Sequence, residues 1–219
     1  MKICCIEQVL SGVYKIIPME GPAFFIRDAY ISLEETEKKF LPQNLLLNFP
    51  LLNTTSLEGD IELPLNVAEA YLFSSLTFSV EKAAMTYLSR QEHSRLNLYT
   101  KLIKKGLDKN SVTLALDYLE SVDYLSDRRF AGAFLRSRSI DHSEGRSRLL
   151  QELTSRGIKR DISIQALNEF FTEHDEEEIC LKAYSKLCRI KKDPQKIYSS
   201  LLRRGFNSRL INKIMKTEF

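Results

Sequence analysis

The sequence predicts a mainly α-helical protein, with tandem three-helix repeats forming an elongated curved array behind a small β-containing N-terminal module. Three observations predict this. After Leu65 the prolines and glycines thin to Gly106, Gly132, Gly145, Gly157, Pro194 and Gly205, and apolar residues recur at spacings of three and four, the period of a helix with one buried face. Within that region LYTKLIKKGLDKNSVTLAL, LLQELTSRGIKRDISIQAL and IYSSLLRRGFNSRLINKIM align on Gly106, Gly157 and Gly205, which stand 51 and 48 residues apart. The first 32 residues instead hold short β-favouring runs separated by turn residues.

In chain order, residues 3–10, 13–17 and 23–31 read as strands of a hairpin or meander, parted by Ser11-Gly12 and by Pro18, Gly21 and Pro22. A short helix is expected over 34–40. Pro42, Pro50, Gly59 and Pro64 then divide the chain into pieces without a readable order. The expected domains are 1–64 (the β-containing module), 65–126 (a linker helix and repeat 1), 127–174 (repeat 2) and 175–219 (repeat 3).

The repeat alignment extends well beyond the glycines. Four residues before them stand Leu102, Leu153 and Leu201, and eight before stand Leu98, Leu149 and Ile197. One residue after come Leu107, Ile158 and Phe206, and ten after come Leu116, Leu167 and Met215. The offsets before the glycine share one helix face, and a glycine there supplies the left-handed residue that closes a helix. A further helix precedes each pair, over 80–90, 128–138 and 176–190. Asp127, Asp193-Pro194 and Ser94 are the expected N-terminal caps. Units that stack on their neighbours give the expected array.

Charge is divided unevenly. Residues 1–79 carry 5 Lys and Arg against 10 Asp and Glu, a net −5, whereas the remainder carries 27 against 19, a net +8. The C-terminal part is therefore suited to a polyanion or an acidic protein surface. No apolar run approaches the ~20 residues that cross a bilayer, and the N-terminus has no leader pattern, so a cytoplasmic protein is expected. The four cysteines, Cys4, Cys5, Cys180 and Cys188, form a poor disulfide framework and read as reduced core thiols. His93, His142 and His174 lie far from them, so no metal is expected. His93 and His142 read as exposed turn residues. Phosphate-loop, G-x-S-x-G and H-E-x-x-H patterns are missing from the sequence, so neither an enzyme nor a cofactor is expected.

Four motifs, YLSRQEHSR (87–95), KLIKKGL (101–107), YLSDRRFAGAFLRSRS (124–139) and LLQELTSRGI (149–158), together resemble the RecX family. The most distinctive is the D-x-x-F-A core formed by Asp127, Phe130 and Ala131 after Tyr124-Leu125. Where the family usually has a second acid, this chain has Ser126. The resemblance covers 80–219 in order and is weaker over 1–79. It implies a non-catalytic array of three-helix units that lies in the groove of the RecA–DNA filament, limits its growth and lowers its ATPase and strand-exchange activity.

Two sets of bases are candidates for such contacts. The helix stops carry Lys104-Lys105, Ser155-Arg156 and Arg203-Arg204, although a base in a last turn also favours the helix dipole. A second cluster comprises Arg128, Arg129, Arg136, Arg138, Arg146 and Arg148, with Arg156, Lys159 and Arg160 close behind. Arginine's planar fork pairs well with carboxylate and phosphate; the alternative is a solvated face paired with Asp127, Asp141, Glu144 and Glu152. The expected partner- or DNA-binding residues are Lys104, Lys105, Arg128, Arg129, Arg136, Arg138, Arg146, Arg148, Arg156, Arg203 and Arg204. Asp127, Phe130, Ala131, Gly106, Gly157 and Gly205 are expected to be structural. The expected partner is the RecA filament, with weak or assisting DNA contact, no membrane and a monomeric chain. The alternatives are an autonomous non-specific DNA-binding protein and a scaffold for an unrelated protein.

Overall fold

The computed structural model describes residues 1–31, 56–190 and 193–217; the helix expected over 34–40 lies outside them. Its contacts divide the chain into two compact units, residues 1–87 with 99–124, and 88–98 with 125–219.

The N-terminal runs form β1 (Lys2–Leu10), β2 (Val13–Pro18) and β3 (Phe24–Arg27), followed by a single 3-10 turn at Asp28–Tyr30. A fourth strand, β4 (Ser56–Glu62), pairs with β1, and the antiparallel sheet has the order β3-β2-β1-β4. Ile3 and Ile6 are both buried although an odd spacing would send them to opposite faces. A register shift between Ile3 and Cys5 resets the alternation. These two side chains, with Tyr14, Ile16 and Ile26, pack on Leu63, Val67, Ala68 and Tyr71.

The last three of those residues lie on α1 (Leu65–Leu88), so the expected linker helix and the first helix of repeat 1 are one continuous element. The opposite face of the sheet places Val13 with Tyr30 and Phe78. There Arg27 makes a bidentate bond to Glu81, at 2.7 and 2.6 Å, with side-chain exposures of only 12% and 8%. The Tyr30 hydroxyl donates to the same carboxylate at 2.7 Å, and the guanidinium lies 4.5 Å from the centre of the Tyr118 ring. Burial, then the bond to Glu81, raises the Tyr30 hydroxyl far above the usual phenol range.

The rest of the described chain is helical: α2 (Arg95–Lys104), α3 (Lys109–Ser121), α4 (Asp127–Asp141), α5 (Arg146–Ser155), α6 (Arg160–Glu173), α7 (Glu176–Cys188), α8 (Pro194–Arg203) and α9 (Ser208–Thr217). Of the twelve aligned apolar positions all but Leu107 and Met215 are buried. Repeat 2 has its own core around Leu135, Leu149, Leu153, Ile158, Leu167 and Phe170, and repeat 3 has one around Ala183, Leu187, Leu201, Phe206, Ile211 and Ile214. Ala131 is fully buried, whereas Phe130 is only half-buried beside Phe134.

Each middle helix ends in the same way. Gly106, Gly157 and Gly205 have φ of 80, 82 and 88°, a region that only glycine enters at no cost. The glycine N–H bonds three residues back, and the next N–H reaches the leucine four before the glycine, Leu102, Leu153 or Leu201. This paired closure satisfies carbonyls that a helix end otherwise leaves open.

Two of these stops fit into the preceding repeat. The Arg156 carbonyl accepts the Ser94 Oγ–H at 2.8 Å, while Ser94 caps α2 by accepting from the Asn97 N–H at 3.2 Å. One repeat on, the Arg204 carbonyl accepts the Gly145 N–H at 2.8 Å and the Gly205 carbonyl accepts the Ser147 N–H at 3.2 Å. A Cβ on Gly157 would stand 2.6 Å from Leu96 Cβ, and one on Gly205 would stand 2.2 Å from the Arg148 nitrogen. The carboxylates of Asp127 and Glu176 complete the two joints, accepting the Arg95 N–H at 2.9 Å and the Arg146 N–H at 3.0 Å.

Asp127 therefore caps a helix other than the one expected. It begins α4, whose own cap is Ser126 through the Arg129 N–H, and its charge meets the positive end of α2. His93 is also placed differently: it is 4% exposed, next to the Ser94 joint, while His142 is exposed as expected. All four cysteines are free, but only Cys180 is buried; Cys188 is exposed and Cys4 and Cys5 are intermediate. Burial, with Glu176 and Glu177 nearby, pushes the Cys180 thiol up to about 12.

Candidate partner-binding surface

The basic side chains divide into those engaged within the chain and those left open. Along α4 and α5 charges alternate. Arg138 binds Glu144 through two bonds of 2.8 and 3.0 Å, Arg148 lies 2.7 Å from Glu152 and 4.0 Å from Glu144, and Arg156 reaches Glu152 at 2.6 Å. The bond from Arg156, assisted by the charges of Arg148 and Arg138, holds the Glu152 carboxyl below its ordinary range despite the opposing effect of burial. The Arg156 guanidinium also lies 4.4 Å from the Phe134 ring centre. Glu144 and Glu152 thus hold the arginines as the solvated-face reading expects, whereas Asp127 serves the repeat joint.

Other expected contact residues have partners that sequence spacing alone does not reveal. Arg128 pairs with Glu169 at 2.8 Å and Arg129 with Glu92 at 2.9 Å. Arg146 donates to Asn168 at 2.6 Å and lies over Phe171, while Arg204 donates to the Ser143 carbonyl at 3.2 Å. Lys105 and Lys101 each place an ammonium about 5 Å from the Tyr87 ring centre, at 4.8 and 5.0 Å. Lys104, Arg136, Lys159, Arg160 and Arg203 are exposed. Among the described residues none of these five is in an ion pair.

The structure brings Arg138, Arg148 and Arg156 into one run. Sequence reasoning expected Asp127 as a structural cap but missed the joints that Asp127 and Glu176, at the starts of α4 and α7, close. Asp127 and Glu176 precede Gly157 and Gly205 by 30 and 29 residues, so a search for recurring acids at helix starts would have found them.

A cavity of about 110 Å³ in the second unit is lined in part by His142, Glu144, His174 and Lys182. His174 Nδ1 lies 3.1 Å from the Phe170 carbonyl, and Glu144 is held by Arg138. Among the described residues there is no group of three or more His, Cys, Asp or Glu placed to hold a metal, and no helix is long and apolar enough to cross a membrane.

The fold and this surface define a tandem three-helix-repeat protein with a basic helical face. A family model for the second three-helix domain of RecX matches residues 126–167. Regulatory protein RecX of Treponema pallidum (strain Nichols) is 34% identical over 149 residues, covering 68% of this chain and 91% of that protein. Its counterpart in Prosthecochloris aestuarii is 32% identical over 137 residues, 60% of this chain and 88% of the relative. The chain belongs to the RecX family of regulatory proteins. Among solved structures, a crystal structure of regulatory protein RecX matches with a TM-score of 0.71 over 98% of both chains at 23% identity. That of RecX from Lactobacillus salivarius matches with 0.57 over 65% of this chain and 96% of its own at 24% identity. These two likenesses concern the fold.

Proposed function

We propose that this protein regulates the RecA recombinase by binding its filament on DNA, inhibiting ATPase, strand exchange and filament growth during DNA repair and the SOS response. It acts as a cytoplasmic monomer and by occupancy, not by catalysis. The observation that carries the reading is the basic helix stop repeated in register: Lys104-Lys105, Arg156 and Arg203-Arg204 precede three glycines of identical geometry. A filament is itself a repeating partner, so recurring cations meet recurring acids or phosphates. The partly exposed guanidiniums of Arg148 and Arg156 suit exchange of one carboxylate for another, because solvent-accessible pairs contribute little individually.

The direct test is RecA ATPase on single-stranded DNA with increasing amounts of the protein, beside a measurement of DNA binding without RecA. Inhibition well below stoichiometric coverage of the DNA is expected. A second reading, non-specific DNA binding, draws on the open side chains of Arg136, Lys159 and Arg160. It predicts no effect on RecA and binding that weakens steeply with salt.

A further inference from the structure

The three helix stops are alike in backbone but not in surroundings. At Gly157 and Gly205 the carbonyl just before the glycine is taken by the cap of the preceding middle helix, and there is no space for a Cβ. At Gly106 a Cβ would meet nothing within 4 Å, and no described residue donates to the Lys105 carbonyl. Among the described residues, the same half-joint that the chain fills twice is left open once, at an exposed glycine between exposed Lys104-Lys105 and half-buried Leu107.

The geometry points to the Gly106 stop as a docking surface for the N-terminus of a helix on the protein partner, and this rests on the filament reading above. The internal joints define what such a helix must offer. Its cap must be small or hydroxylated, as Gly145 and Ser94 are, so that an N–H or O–H reaches the Lys105 carbonyl. Its first turn should carry acids, which the helix dipole favours there and which Lys104 and Lys105 would face.

A second copy of this chain is a poor source of that helix. The α2 and α5 N-termini are already occupied within the molecule. The remaining middle helix, α8, begins Asp193-Pro194, and the Asp193 carboxylate already accepts the Gln195 N–H at 2.9 Å. Proline at the first helical position has no N–H to give, and a carboxylate cap repels an incoming carbonyl. Among the described residues, the start of α8 is thus unsuited to this joint and the Gly106 stop is left without one.

The test uses the full-length chain with Gly106→Asn, because asparagine tolerates positive φ while placing a side chain on the open face. Lys105→Glu is a second variant. Binding to RecA filaments on single-stranded DNA, binding to the bare DNA and thermal melting are measured for each. At a melting temperature close to the parent's, filament binding at least ~10-fold weaker is expected, with bare-DNA binding unchanged in Gly106→Asn. Parent-like filament binding by Gly106→Asn overturns the docking surface and leaves the filament reading intact. An equal loss on bare DNA overturns it in favour of phosphate contact. If the parent itself does not bind filaments, the filament reading falls and this inference falls with it.

Discussion

Arg27 with Glu81 in the N-terminal half, and Arg138 through Arg156 in the repeats, use the same residue types for different purposes. The first pair is almost wholly enclosed, shares its carboxylate with a tyrosine hydroxyl and lies against aromatic rings. In the second set the arginines are 25–39% exposed while their acids are only 11–16% exposed, and each acid is shared between neighbouring arginines. A buried pair cannot lose one partner without leaving an uncompensated charge, whereas a guanidinium partly open to water can change partners at less cost. Charge therefore fixes structure in one region and remains exchangeable in the other.

The sharpest way to break this comparison is Glu81→Ala. It should destabilise the protein by about 3–5 kcal/mol, because Arg27 is left buried and alone; denaturant unfolding monitored by circular dichroism gives the value. A cost below ~1 kcal/mol would mean that Arg27 reaches water and that the two regions are alike. Replacing Arg27 and Glu81 together by methionine and leucine should recover most of the loss.

Next in size is the difference between helix stops. Gly205→Ala incurs the left-handed backbone penalty, ~1–2 kcal/mol, together with a Cβ 2.2 Å from the Arg148 backbone nitrogen. Gly106→Ala incurs the backbone penalty alone. Melting curves of the two variants should therefore differ, with Gly205→Ala lower; equal shifts would show that the third stop has room to relax.

The smallest effect is expected at Glu152→Gln, below ~1 kcal/mol. The folded carboxyl titrates below its ordinary value, so its contribution is present at neutral pH. It is lost as pH falls through that lowered value, because protonation is easier in the unfolded chain. A stability-against-pH curve for the variant should be flatter than the parent's in the acidic range and parallel to it near neutrality. A difference that grows towards alkaline pH would reverse this sign.

The repeats were legible because their determinants are local: apolar residues at helical spacing and glycine where φ must be positive. β4 was not, because Glu58, Gly59, Asp60 and Glu62 are poor strand formers and become a strand only by pairing with β1. The joints were hidden for a related reason. Ser94 meets the Arg156 carbonyl across 62 residues, and Asp127, an apparent cap for its own helix, reaches back to Arg95. His93 reads as a polar turn residue until tertiary packing encloses it. The cation-rich segments were readable as composition, but the acids that occupy them, such as Glu92 and Glu169, are set by three-dimensional proximity.

The start of α8 also bears on how such a chain could lengthen over evolution. Tandem duplication of the last unit would carry Asp193-Pro194 into an interior position, where the incoming acid would find a ring nitrogen without hydrogen and the incoming carbonyl a carboxylate. The middle unit, opened by Gly145 and Arg146, can be copied without that conflict. Longer descendants of this chain should therefore multiply the second unit rather than the third.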